Sequence, residues 1–124
     1  MTFLNTSRIS VNQVAHSFVV GNVLYLNGST YTLALATSAV TAEVIGIVTG
    51  VADADNFTIA LPGNRITGLS GLTAGTVYFL SDSTAGLLTS TEPTTYKNIS
   101  KPVLIADSTT SGVFTNQRGT EVIN

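Results

Sequence analysis

Short runs of apolar residues alternating at every second position, each cut off by a Gly, Asn, Asp or Pro signal, constrain this chain more than any other feature. A two-residue period places side chains on opposite faces of a strand, and the interruptions are turn chemistry. Val19–Leu26 ends at Asn27-Gly28-Ser29-Thr30, and Tyr31–Ala36 follows with Tyr31, Leu33 and Leu35 against Thr32 and Ala34. This is a hairpin pattern, with Asn27-Gly28 expected to supply the positive φ angles of a tight turn. Glu43–Val51 is nearly continuous apolar sequence broken by Gly46 and Gly50, the mark of a strand buried on both faces or bulged at glycine. After the polar turn Asp53–Asn56, the run Asn56–Leu61 alternates until Pro62-Gly63-Asn64 stops it. Arg65–Leu72, Thr76–Leu80, Leu87–Ser90, Pro102–Ala106 and Gly112–Gln117 continue the series. No window carries apolar residues at i, i+3, i+4 and i+7 behind a cap. About eight short strands predict an all-β fold, a small barrel or sandwich.

The pattern also repeats. Gly21–Thr30 aligns with Gly75–Thr84, and both continue to a leucine at the same distance, Leu33 and Leu87. Ile47-Val48 through Phe57-Thr58 matches Leu104-Ile105 through Phe114-Thr115, with the extra length of the second half assigned to the loop around Pro93. Two copies are too few for a solenoid, so two similar halves around one core are expected. This divides the chain into an N-terminal arm over residues 1–14, one all-β domain over 15–119, and a C-terminal tail over 120–124. The arm carries Thr2, Phe3, Leu4, Ile9 and Val11 without a hairpin partner, and is expected to add to a neighbouring sheet or groove.

Composition narrows the function. Charged residues are 10 % of the chain, with a net charge of -2. A nucleic-acid binder needs clustered Lys and Arg to displace counterions from phosphate, so that class is set aside. The apolar stretch Val44–Val51 is far shorter than the ~18 residues of a membrane-spanning helix, and no membrane partner is expected. Residues 1–13 lack the basic and apolar regions of a signal peptide. Without cysteine there are no disulfides, thiolate metal sites or cysteine nucleophiles. Thr (20) and Ser (12) dominate the polar positions. Their side chains lose little entropy when immobilised, so a hydroxyl-rich surface suits packing against neighbours.

No catalytic constellation emerges. His16 is the sole imidazole, in Ala15-His16-Ser17, and no G-x-S-x-G elbow exists. Asp53-Ala54-Asp55-Asn56 opens like a calcium loop but lacks the glycine and glutamate such a loop requires, so a side-chain-capped turn is expected. The four glycines within Gly63–Gly75 have no accompanying G-K-[ST]. Glu43, Glu92 and Glu121 lie in separate segments, and nothing pairs two of them as a glycosidase acid and base. The four N-x-[ST] sequons, at Asn5, Asn27, Asn56 and Asn98, are weak evidence of a secretory route in so Asn- and hydroxyl-rich a chain. No enzyme activity, metal or cofactor is expected.

The segments Phe18-Val19-Val20-Gly21-Asn22-Val23-Leu24-Tyr25, Val44-Ile45-Gly46-Ile47-Val48, Asp53-Ala54-Asp55-Asn56-Phe57-Thr58, Gly71–Ser81 and Ser100–Ala106 together carry a resemblance. The chain resembles the β-rich modules of tailed-bacteriophage virion proteins, found in tail-fibre segments and in small capsid decoration, or cement, proteins. The likeness spans roughly residues 15–119. It implies a β-tulip-like fold, a homotrimer, and placement on the capsid exterior with the major capsid protein as partner. Lacking a fibre's repeats or coiled-coil stalk, the chain suits a cement protein set between capsomers, its arm along the shell. The alternative is a small tail or head fibre that binds host-surface glycan, with Tyr25, Tyr31, Tyr78 and Tyr96 as stacking faces.

Overall fold

The computed structural model describes residues 8–123. Among them there are twelve strands and no helix. Five strands come first: β1 (Arg8–Asn12), β2 (Val23–Asn27), β3 (Thr30–Leu33), β4 (Val44–Asp53) and β5 (Asn56–Ala60). Seven follow: β6 (Arg65–Ile66), β7 (Val77–Leu80), β8 (Leu88–Thr89), β9 (Ile99–Ser100), β10 (Pro102–Ala106), β11 (Gly112–Phe114) and β12 (Thr120–Glu121). They form an antiparallel sheet in the order β1-β5-β4-β2-β3, a second in the order β6-β11-β10-β7-β8, and a two-stranded sheet β12-β9. The fold is all-β and no barrel closes.

The two larger sheets repeat one topology strand for strand. Their ladders superpose residue by residue: Val23 pairs Ile47 as Val77 pairs Ile105, and Tyr25 pairs Val44 as Phe79 pairs Pro102. Each ladder carries its irregularity at the same place, Ile45 in β4 and Val103 in β10. The edge strands match as well, Arg8-Ile9 on β5 corresponding to Arg65-Ile66 on β11.

This register corrects part of the alignment expected from the sequence. The β2–β7 match holds, but β4 and β10 are displaced by one residue, so Ile47 corresponds to Ile105 and not to Leu104. Phe57 and Phe114 are not equivalent either. Phe57 pairs Val51 far out on the long β4–β5 hairpin, whereas Phe114 pairs Leu104 in the short β10–β11 pair. Identical dipeptides do not set register; the hydrogen-bonded ladder does, and a slip of one residue moves a side chain to the other face. The extra length of the second half lies first in the β7–β8 connection. Gly28-Ser29 alone joins β2 to β3, while residues 81–87 join β7 to β8. There Ser81 Oγ accepts hydrogen bonds from the Ser83 and Thr84 amides. In the first hairpin Gly28, at φ 65°, supplies the positive angle, and Asn27 instead closes the ladder opposite Thr30. Glycine in the first of two turn positions is the pattern of a II′ turn.

One core joins the halves. Val23, Tyr25, Ile47 and Ala60 of the first sheet pack with Ile66, Tyr78, Leu80, Leu104 and Phe114 of the second. The opposite face of the first sheet holds a second cluster of Leu24, Val48, Phe57 and Ile59, covered by Phe18. Backbone bonds also cross between halves: the Val23 amide donates to Gly86 O, Gly86 to Ala34 O, and Ala36 to Ser81 O. Both ends expected to lie outside the domain contribute strands to it. Residues 8–12 form the edge of the first sheet, and Thr120–Glu121 pair with β9.

The close packing of β10 on β11 leads to a test. A Cβ on Gly112 would sit 2.7 Å from Ile105 O and 2.7 Å from Leu104 Cδ2, whereas one on Gly50 would meet nothing within 4 Å. Gly112→Ala is expected to cost about 1–3 kcal/mol through overpacking, and Gly50→Ala to be neutral or stabilising by about 0.5 kcal/mol. Urea denaturation of both variants reads the difference.

Candidate functional site

The residues expected to form a capsid-binding arm separate into two groups. Thr2, Phe3 and Leu4 lie outside the described residues. Ile9 and Val11 belong to β1, half-buried against the Phe18–Leu24–Val48–Phe57–Ile59 cluster. They are committed to the chain's own sheet, because β5 offers a free edge and an apolar face one strand wide. The segment after β1 is tied down too. Gln13 Nε2 donates to Tyr31 O at 2.9 Å, and the Tyr31 amide returns a bond to Gln13 Oε1 at 2.9 Å.

His16 completes this tie. Its ring is 7 % exposed. Nδ1 accepts from the Phe18 amide at 2.9 Å, so the ring proton sits on Nε2 and donates to Asp53 O at 2.8 Å. The imidazole stacks on Phe18 and meets Phe57 edge-on, at centroid distances of 5.4 and 4.9 Å. Both nitrogens are spent on backbone, which is the arrangement of a clamp and not of a general base.

Asp53-Ala54-Asp55-Asn56 is the capped turn its composition implies. Asp53 Oδ1 accepts from the Asp55 amide at 2.8 Å and from Asn56 Nδ2 at 3.0 Å. The Asp55 amide, and then Asn56, hold the Asp53 carboxyl below its ordinary range. Asp55 Oδ1 accepts from the Ala15 amide at 3.0 Å, linking the turn to the covering segment. Among the described residues no three His, Cys, Asp or Glu side chains gather as a metal site.

The surface with the strongest claim to function is the outer face of the second sheet. Val113, Ile105 and Val77 stand abreast on β11, β10 and β7, at 38 %, 36 % and 38 % exposure. Phe79, paired with Pro102 and Thr89, continues the row half-buried. At the β6 edge Arg65 stands beside Val113. Its Nε donates to Asp107 Oδ2 at 2.6 Å, and its terminal nitrogen to Ser111 Oγ at 2.8 Å. This is the only ion pair among the described residues. The Arg65 guanidinium, with the Ser111 hydroxyl, holds the Asp107 carboxyl below its ordinary range. The row is therefore apolar, and the charge of Arg65 beside it is held by Asp107.

This face was missed in the sequence, although a signal was present. Val77-Tyr78-Phe79-Leu80 and Val103-Leu104-Ile105 are apolar at both parities. A strand of that kind needs cover on two faces. The tyrosines behave differently from a glycan platform: Tyr25 and Tyr78 are buried, Tyr31 is half-buried, and Tyr96 is exposed with Lys97 Nζ 5.5 Å above its ring.

A polar cavity of about 560 Å³ is lined by residues of both halves, Glu43, Ile99, Lys101, Asn116 and Arg118 among them. Asn116 adopts φ 45°, donates through Nδ2 to Val44 O at 3.0 Å, and buries an Oδ1 that has no partner among the described residues. Lys101 is 5 % exposed, and burial pushes its amine down, with Glu43 partly offsetting the shift. No protein-family description, curated protein or solved structure matches this chain.

The lowered Lys101 amine has a testable sign. Between its folded value and the ordinary 10.5 the unfolded chain binds more protons. Stability contributed by this group therefore rises with pH through that interval and is lowest below it. Lys101→Met, which keeps most of the volume without the charge, is expected to denature at a higher urea concentration than the parent at pH 7. The gap should narrow as pH approaches 10, as paired urea titrations at the two pH values will read.

Proposed function

We propose that this chain is a structural protein of a tailed-bacteriophage virion, a capsid decoration protein that trimerises and binds between capsomers on the exterior of the head. The resemblance of residues 15–119 to phage virion modules suggests the setting. The observation that carries an assembly role is the apolar row Val77–Ile105–Val113, exposed side by side on three adjacent strands of the second sheet, where the outer face of the first sheet is covered by Phe18. Its function is then adhesion by shape. An interface of standard size, about 800 Å² per partner, recruits stability from burial and needs no strong single bond.

The rigid β1 changes where the arm can begin. Only residues 1–7 remain to lie along the shell, since residues 8–12 are held by β5. Removing residues 2–7 leaves the sheet intact and is expected to lower occupancy on emptied heads, measured by sedimentation of decorated particles. Unchanged occupancy removes the arm from the reading. Binding of the whole protein is expected to persist in about 1 M salt, where the screening length falls to ~3 Å, because few charges take part. Release by modest salt, or specific capture on a glycan array, replaces this reading with another.

A further inference from the structure

We propose that copies of this chain meet through the outer face of the second sheet, the surface of Val77, Phe79, Ile105 and Val113. The inference rests on the assembly reading and names the surface that serves it.

The matching ladders identify what this face is built to carry. Val77, Phe79, Ile105 and Val113 occupy the positions of Val23, Tyr25, Ile47 and Ala60 in the first sheet. Those four are 0 %, 9 %, 0 % and 0 % exposed, and what covers them is the second sheet itself. The covering side chains, Ile66, Tyr78 and Leu104, correspond in turn to Ile9, Leu24 and Gly46 on the far side of the first sheet. The halves therefore stack front to back, not front to front. Each sheet has a front and a back, and the back of the first is sealed by the front of the second. The back of the second is the same surface without its cover.

The chain thus shows one occupant for this kind of face, and that occupant is a sheet of its own sequence. The sheet face that a second copy leaves open is this same surface, so the copies meet through it on both sides. The chemistry agrees: the row is apolar, the nearest charge is held in the Arg65–Asp107 pair, and the flanking Thr89 and Thr115 are small hydroxyls. The opposite end of the stack is already closed, because His16 and Phe18 lie over the front of the first sheet. With one end capped and one open, association joins open faces about a rotation axis and stops there.

The test is the mass of the full chain in solution by sedimentation velocity. The parent protein is compared with Ile105→Lys, Val113→Glu, and Val40→Lys as a control on an exposed residue away from the face. The parent and Val40→Lys are expected to sediment as a multiple of 12.9 kDa at about 100 µM. Ile105→Lys and Val113→Glu are expected to associate at least tenfold more weakly, since each would bury an unpaired charge. Far-ultraviolet circular dichroism and melting confirm which variants are folded; if one is not, the other decides. A monomeric parent, or a folded face variant of unchanged mass, overturns the inference. A monomeric parent that still decorates heads leaves the assembly reading standing without this surface. An oligomeric parent that ignores heads keeps the surface and removes the capsid setting.

Discussion

The structure depends on one contact, the front of the second sheet laid against the back of the first. Val23, Ile47 and Ala60 on one side and Ile66, Leu104 and Phe114 on the other are all fully buried in it. Burying each of the larger side chains contributes roughly 1.5–3 kcal/mol, whereas the one ion pair among the described residues, Arg65–Asp107, lies within the second half and does not join the sheets. The remaining features follow from that contact. The Gly86 amide reaches into the first half, Asn116 is bent to φ 45° to bond Val44 O, and the glycine at 112 lets β11 approach Leu104.

A front-to-back stack has unequal ends, and this asymmetry separates the two outer surfaces. At one end the chain spends residues 13–18 covering the first sheet. Gln13 grips Tyr31, His16 bonds Asp53 and Phe18, and three aromatic rings close over Phe57. At the other end Val77, Ile105 and Val113 have no such segment over them among the described residues. A solvated antiparallel face normally alternates to polar residues. Here it does not, and the hydroxyl-rich, sparsely charged skin around it offers little to keep neighbouring molecules apart.

Much of this was legible in the residues. The strands β4, β5, β7 and β10, the Gly28 hairpin, the polar turn at Asp53 and the doubling of the chain follow from local chemistry: period-two alternation, turn residues, and side chains that bond their own backbone. The expected runs Val19–Leu26, Arg65–Leu72 and Gly112–Gln117 are strand only over Val23–Asn27, Arg65–Ile66 and Gly112–Phe114. Less legible was the correspondence between halves. Phe57-Thr58 and Phe114-Thr115 look alike and are not equivalent, while Arg8-Ile9 and Arg65-Ile66 are equivalent and are easily overlooked as dipeptides. Unequal hairpin lengths shift the alignment between strands, and only cross-strand pairing counts residues correctly. The edge strand β1 was hidden for a related reason. Its partner β5 lies some fifty residues away, so no local turn announces it.

The sequence by itself determined that this chain pairs into antiparallel sheets and carries its pattern twice, because alternation and turn chemistry act over a few residues. It also determined that the surface is poor in charge, which is a matter of composition. Tertiary structure alone decided which parity of each strand faces inward, since both parities of β7 and β10 are apolar and either satisfies the local rules. That choice sealed Tyr78 and Leu104 inside and left Val77 and Ile105 at the surface, and it was made by the one face that the first sheet had available to cover.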